Sequence, residues 1–178
     1  MNKTVIIGII LLITVLLGLT FVSNKQKESK APLLEQVQQQ PTSISEQTLA
    51  VDKQASFAIF TNGTFRVFTA SMYHRLSPDV YIEASNPNIV KVKKAGVTWN
   101  DFFQTLPFSL TKNCLTTGTK ETFCTNQNKT LKFYVNGVKT NKLLDKVIND
   151  GDKALVSYGE DSERQIQEQI DKLSKLGN

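Results

Sequence analysis

From Thr4 to Val22 the chain carries no charged side chain, and most of those nineteen residues are aliphatic. A helix of that length crosses the hydrocarbon of a bilayer, about 30 Å thick. Gly8 and Gly18 are no objection, because helices in lipid tolerate glycine. The sequence therefore predicts a single-pass transmembrane segment with the lipid bilayer as its partner through residues 4–22. The alternative is a cleaved signal peptide, with Lys3 as its basic start. Cleavage asks for small residues in an A-x-A-like pattern, and bulky Phe21 and Val22 stand at that place, so an uncleaved anchor over residues 1–22 is favoured.

Either reading exports the rest of the chain. Lysines 25, 27 and 30 beyond the apolar run outnumber Lys3 before it, and the positive-inside rule alone would hold those lysines in the cytoplasm. A short start before a large polar domain nevertheless reads as a signal anchor. The expected location is the cell membrane, single-pass, with the C-terminal domain extracytoplasmic.

The net charge of +5 is not a nucleic-acid signature. Residues 1–30 hold four lysines and one glutamate, so +3 of it sits beside the expected bilayer, where anionic lipid attracts it. Residues 31–178 carry 17 Lys/Arg against 15 Asp/Glu. Within Lys91–Lys153 eleven lysines face five acids, a basic stretch read as a solvated sheet surface rather than a polyanion site. No nucleic-acid partner is expected.

Residues 23–56 are rich in Gln, Ser and Lys and lack aromatics, which reads as a flexible spacer. The folded domain is expected over 57–160. Its first signal is "FAIFTNGTFRVF", two apolar runs around Asn62-Gly63, a pair suited to a type I′ hairpin turn. "VYIEA" and "IVKVKK" alternate as two strands, with the turn placed at Pro87. "GVTWNDFFQTLP" changes to helical spacing. Thr98 and Asp101 form a capping-box-like start, Trp99, Phe102, Phe103 and Leu106 share one face, and Pro107 stops the helix. Trp99 is expected as a core anchor. "SLTKNCLTT" and "ETFC" read as strands around a Gly-Thr-Lys turn. Leu131–Asn136 is a strand with Leu131, Phe133 and Val135 on one face, turned by Asn136-Gly137. Asp150-Gly151-Asp152 turns the chain into a last strand, "KALVSYG". Residues 161–178 are expected as an amphipathic helix, opened by Ser162 and Gln165 and striped by Ile166, Ile170, Leu173 and Leu176.

Cys114 and Cys124 are the only cysteines. They flank the expected turn, and an even count in an exported domain favours a disulfide between them. The other reading is a redox pair, which lacks the Cys-x-x-Cys spacing that depresses a thiol pKa. No catalytic, cofactor-binding or metal-ligating set is expected, and no cofactor. His74 is a lone histidine beside Arg75. Asp150 and Asp152 fall short of a calcium loop's ligand set. Asn62-Gly63-Thr64 and Asn128-Lys129-Thr130 match the glycosylation acceptor pattern.

The helix entry "GVTWNDFFQTL" and the closing "FYVNGV…INDGDKALVSYG" resemble ligand-binding β-grasp modules of the soluble-ligand-binding and transcobalamin C-terminal-like types. The run from Phe57 to Gly159 is also similar to uncharacterised membrane-anchored extracytoplasmic proteins of candidate-phylum bacteria and some archaea. Members of that group carry several histidines in the part matching Tyr73–Lys93. Here His74 stands alone, with Tyr81 and Glu83 in the "VYIEA" strand, so no metal role carries over. The resemblance implies an α+β fold, a β-grasp-like mixed sheet packed on a short helix, here with the anchor before it and a C-terminal helix after it. The anchor, the spacer, the cysteine pair and the absence of catalytic motifs point to a non-enzymatic module that binds a small ligand or an envelope protein. The alternative is a thiol–disulfide redox protein or enzyme subunit using Cys114 and Cys124.

Overall fold

The computed structural model describes residues 49–176. The expected membrane segment and most of the expected spacer lie outside them. Among the described residues no helix is long and apolar enough to cross a membrane.

The fold is α+β, with a mixed main sheet and a C-terminal helix. β1 spans Ala50–Thr61, so it starts inside the stretch expected as spacer and not at Phe57. The reason is visible in its burial. Its first half alternates between exposed and half-buried, while from Ala55 onward every residue is buried. A strand covered on one face carries polar residues at every second position, and "AVDKQ" therefore reads as linker. β2 (Thr64–Phe65) folds back on β1 through Asn62-Gly63, with φ of 50° and 76° as a type I′ turn needs. A single 3-10 turn, Ser71–Tyr73, precedes β3 (Val80–Glu83) and β4 (Asn86–Lys94). The β3–β4 turn falls at Ala84-Ser85, not at Pro87. Pro87 lies inside β4, ahead of Ile89, where pairing with β1 begins. A proline there removes no donor from that ladder.

α1 (Trp99–Thr105) opens with the expected capping box. The Asp101 amide donates to Thr98 Oγ1 at 3.1 Å, and the Thr98 amide donates to Asp101 Oδ2 at 2.8 Å. Next in the chain is a small second sheet, β5 (Ser109–Leu110), β6 (Cys114–Thr116) and β7 (Thr122–Cys124), in that order. β8 (Thr130–Val135) and β9 (Val138–Thr140) make the second Asn-Gly hairpin, at Asn136-Gly137. β10 (Lys153–Gly159) and α2 (Glu163–Leu176) complete the chain.

The main sheet runs β3-β4-β1-β10-β8-β9, with β2 on the free edge of β1. β1 and β10 are parallel and central, from Ser56↔Lys153 to Thr61↔Tyr158, and the other pairs are antiparallel. The sheet separates two hydrophobic layers. On one side Phe57, Ile59, Phe133 and Val156 pack against Trp99, Phe102 and Phe103 of α1, joined by Leu143, Leu144 and Ile148 from the segment after β9 and by Leu115 and Phe123 of the small sheet. On the other side Ala58, Phe60, Tyr134 and Leu155 are covered by Ile166 and Leu173 of α2. The apolar stripe of the C-terminal helix therefore docks on the protein's own sheet. This second cover buries both faces of the central strands, which explains their unbroken apolar runs.

Candidate functional site

Cys114 and Cys124 are bonded to each other. They sit directly opposite across β6 and β7, with Cα atoms 4.1 Å apart. The hairpin is anchored at its other positions. Leu115 and Phe123 point into the core, and Arg66 lies over the Phe123 ring, 5.1 Å from its centroid. Arg66 also donates through Nε to Thr61 Oγ1 at 2.6 Å and pairs with Glu121 at 3.7 Å, tying the small sheet to the end of β1.

The residues flanking the disulfide hairpin border a groove of about 890 Å³. Lys112 and Asn113, at the turn before β6, and Thr125, just after β7, stand on one wall. The opposite wall is Lys139 and Thr140 of β9 with Asn141 and Lys142 beyond it. The floor is the edge of β8 from Thr130 to Phe133. This floor exists because β9 is short. It pairs only with Phe133, Tyr134 and Val135, so the first half of β8, paired with β10 on one edge, is open on the other. The Leu131 amide, turned toward that open edge, donates to Thr125 Oγ1 at 2.9 Å. Across one end of the groove Lys112 reaches Asp145 at 3.1 Å.

The groove's lysines are not equivalent. Lys112 is paired with Asp145. Lys132 alternates to the α2 face of the sheet, where its Nζ donates to the Gly159 carbonyl at 2.8 Å and sits 3.4 Å from Asp161 Oδ2. That pair is buried, at 10% and 4% side-chain exposure, and Asp161 also accepts from Ser157 Oγ and Gln169 Nε2 at 3.1 and 3.3 Å. Lys139 and Lys142 have no carboxylate within 4.0 Å among the described residues. Lys139 stands opposite Tyr134 in the β8–β9 register, so its side chain is on the α2 face as that of Lys132 is.

No protein-family model matches this chain, and no curated protein or solved structure matches it either. The site is read from its own residues.

The other singled-out residues fall elsewhere and have structural duties. His74 Nε2 lies 2.9 Å from the Phe68 carbonyl. Arg75 pairs with Glu83 and stacks over Tyr81, 5.7 Å from the ring centroid, on the outer edge of the sheet. Asp150 Oδ1 accepts from the Gln54 amide at 2.8 Å. Buried Asp152 accepts from Asn136 Nδ2 and from the Asn149 amide, each at 2.9 Å. These two acids knit the turn before β10 to its neighbours, and among the described residues no group of three or more His, Cys, Asp or Glu is placed to hold a metal ion. Asn62, in the first acceptor pattern, takes a bond from Lys129 Nζ at 3.0 Å, beside Asn128 of the second.

One ion pair and one phenol carry shifted groups. The ammonium of Lys93 beside Asp52, 2.6 Å away, holds the Asp52 carboxyl below its ordinary value and is itself raised. Burial under α2, with Asp161 and Glu163 nearby, raises the Tyr134 phenol above its ordinary 10.0.

Sequence reasoning noticed the basic stretch but not the groove. The signal was the lysine excess of Lys91–Lys153, but which lysines face the groove depends on strand register. The Lys132–Asp161–Ser157–Gln169 network was also missed, because its members come from β8, β10, α2 and the connection between the last two.

Proposed function

We propose that this chain is a membrane-anchored, extracytoplasmic binding module, non-enzymatic, with a β-grasp-like domain as its binding unit. The single observation that carries the reading is the groove: a polar concavity bordered by the flanks of a covalently closed hairpin on one side and a shortened strand on the other. A disulfide in that hairpin suits an oxidising compartment. The apolar run Thr4–Val22 supports attachment to the bilayer, and the spacer supports presentation away from it. The strand order supports the β-grasp reading, since the closing strand returns to the sheet centre beside the first and one short helix packs on one face of the sheet.

The test uses the full chain in intact membranes and a thiol reagent that cannot cross them. Labelling of Cys114 and Cys124 only after reductant is added is the expected result. Free thiols reached only once the membrane is opened would place the domain inside the cell and overturn the reading.

A further inference from the structure

We infer that Asn62, in the turn between β1 and β2, is a site of spontaneous covalent modification. Its side-chain amide is exchanged for a carboxylate through a cyclic imide closed by the Gly63 backbone nitrogen, while Asn136 in the second Asn-Gly turn is protected from the same reaction. The inference is independent of the binding-module reading above.

The chemistry is internal to the chain and needs only water. The Gly63 nitrogen gives its proton to water or hydroxide and bonds to Cγ of Asn62. The Cγ–Nδ2 bond then breaks, and ammonia leaves with that electron pair and a proton. Water opens the imide at either carbonyl. One opening leaves an aspartate, and the other routes the main chain through the side-chain carbons as an isoaspartate. Nothing is oxidised or reduced. Glycine in the second position favours ring closure because no Cβ crowds the attacking nitrogen.

The two Asn-Gly turns form a comparison within one molecule. Their φ values are 50° and 76° at the first and 53° and 80° at the second, so the backbone does not separate them. The side chains do. Asn136 is tied at both ends: Nδ2 donates to Asp152 Oδ1 at 2.9 Å, and Oδ1 accepts from the Lys153 amide at 2.9 Å. The Asp152 carboxylate holds the leaving nitrogen and opposes the negative charge that attack places on Oδ1. Asn62 is held only at Oδ1 among the described residues, by Lys129 Nζ at 3.0 Å. That ammonium faces the atom where the charge gathers, as a donor aimed at an oxyanion does. The surroundings differ in the same direction. Asn62 and Gly63 are exposed, and beyond the chain neighbours no heavy atom lies within 4 Å of where a Gly63 Cβ would stand. At Gly137 that position is 4.0 Å from Ile170 of α2. Ring closure also requires the asparagine to leave its turn conformation, and at the first turn only the two-residue β2 resists.

The experiment incubates the purified full chain, in detergent, at mildly alkaline pH, digests samples with trypsin under mildly acidic conditions that slow the reaction, and follows it by mass spectrometry. Cleavage after Lys53 and Arg66 isolates Asn62, and cleavage after Lys132 and Lys139 isolates Asn136, each as the one asparagine of its peptide. Asn62 is expected to convert about tenfold faster than Asn136 or more, the rate equivalent of the two bonds that hold Asn136. In denaturant the two are expected to convert at similar rates. Lys129→Met is expected to slow Asn62 by about threefold, a surface charge contact expressed as a rate, and to leave Asn136 and the melting temperature unchanged. Asn136 converting as fast as Asn62 in the folded chain would overturn the inference. So would an Asn62 that stays intact when folded while the denatured chain converts. An unchanged Asn62 rate in Lys129→Met would overturn the role given to that ammonium.

Discussion

At the scale of single residues, the fold leans on a few polar side chains that complete backbone ladders. Asp152 is the clearest. It is buried, and it binds Asn136 on the far side of one turn and the Asn149 backbone on the other. Asp152→Ala removes the charged acceptor of both bonds, while the donors on exposed Asn136 and Asn149 can turn to water, a loss of about 1.5 kcal/mol. Chemical denaturation should show that loss, while Asp145→Ala on the exposed Lys112 pair should stay within about 1 kcal/mol of the parent. Tyr134 gives a pH signature. Its phenol is raised in the fold, chiefly by burial, so the unfolded chain releases that proton first as pH climbs. Stability from this group is complete below the ordinary phenol value and is lost as pH rises through the raised one. Denaturant melts taken from neutral to alkaline pH should show a steeper alkaline decline in the parent than in Tyr134→Phe. Equal slopes would show that burial of Tyr134 does not set it. Much at this scale was legible beforehand. The Thr98–Asp101 and Ser162–Gln165 caps formed as their spacing predicts, and both Asn-Gly pairs turned with positive φ. Each depends on three or four consecutive residues, so few alternatives compete.

At the scale of elements, the three-stranded small sheet is the weakest part by construction. Its strands are two or three residues long, below the length at which a hairpin stands alone in water. It persists because Leu115 and Phe123 reach the core and because Cys114 and Cys124 close the loop. Replacing both cysteines by serine should cost about 3 kcal/mol by the loop-entropy argument, and proteolysis should then cut first between Thr116 and Thr122. It should also weaken ligand binding in the groove, because the residues flanking the hairpin border it. Cleavage that begins elsewhere would show that core contacts, not the disulfide, hold the hairpin. The pairing itself was legible from the cysteine count and the intervening turn. The start of β1 was not. "AVDKQ" has the composition of a linker because one face of that half-strand meets water, and only its partner β4 reveals it as sheet. Pro87 misled for a related reason: a proline signals a turn locally, but here it occupies a strand position where no ladder donor is needed.

At the scale of the whole molecule, the first and last strands pair in parallel at the centre, so the fold cannot close until β10 is in place. Such non-local pairing is slow and cooperative. Hydrogen exchange should therefore be slowest at Phe57–Phe60 and Leu155–Ser157, where both faces are covered, and clearly faster in β6 and β7. The reverse order would mean that the two helices, rather than the central strands, form the most stable unit.

What the sequence determined by itself was whatever a handful of neighbouring residues can decide: the Asn-Gly turns, the caps, the apolar faces of both helices and the partnership of the two cysteines. The tertiary structure alone decided which strands became neighbours, that α2 covers the second face, and that a shortened β9 leaves a groove beside the disulfide hairpin. Lys132 makes the difference plain. In sequence it is one lysine among eleven, yet strand alternation turns it away from the groove into a buried pair with Asp161. The physical reason is range. Local steric and hydrogen-bonding preferences act within about one turn of chain, whereas register, strand order and the face a side chain meets are fixed only when residues far apart in sequence come into contact.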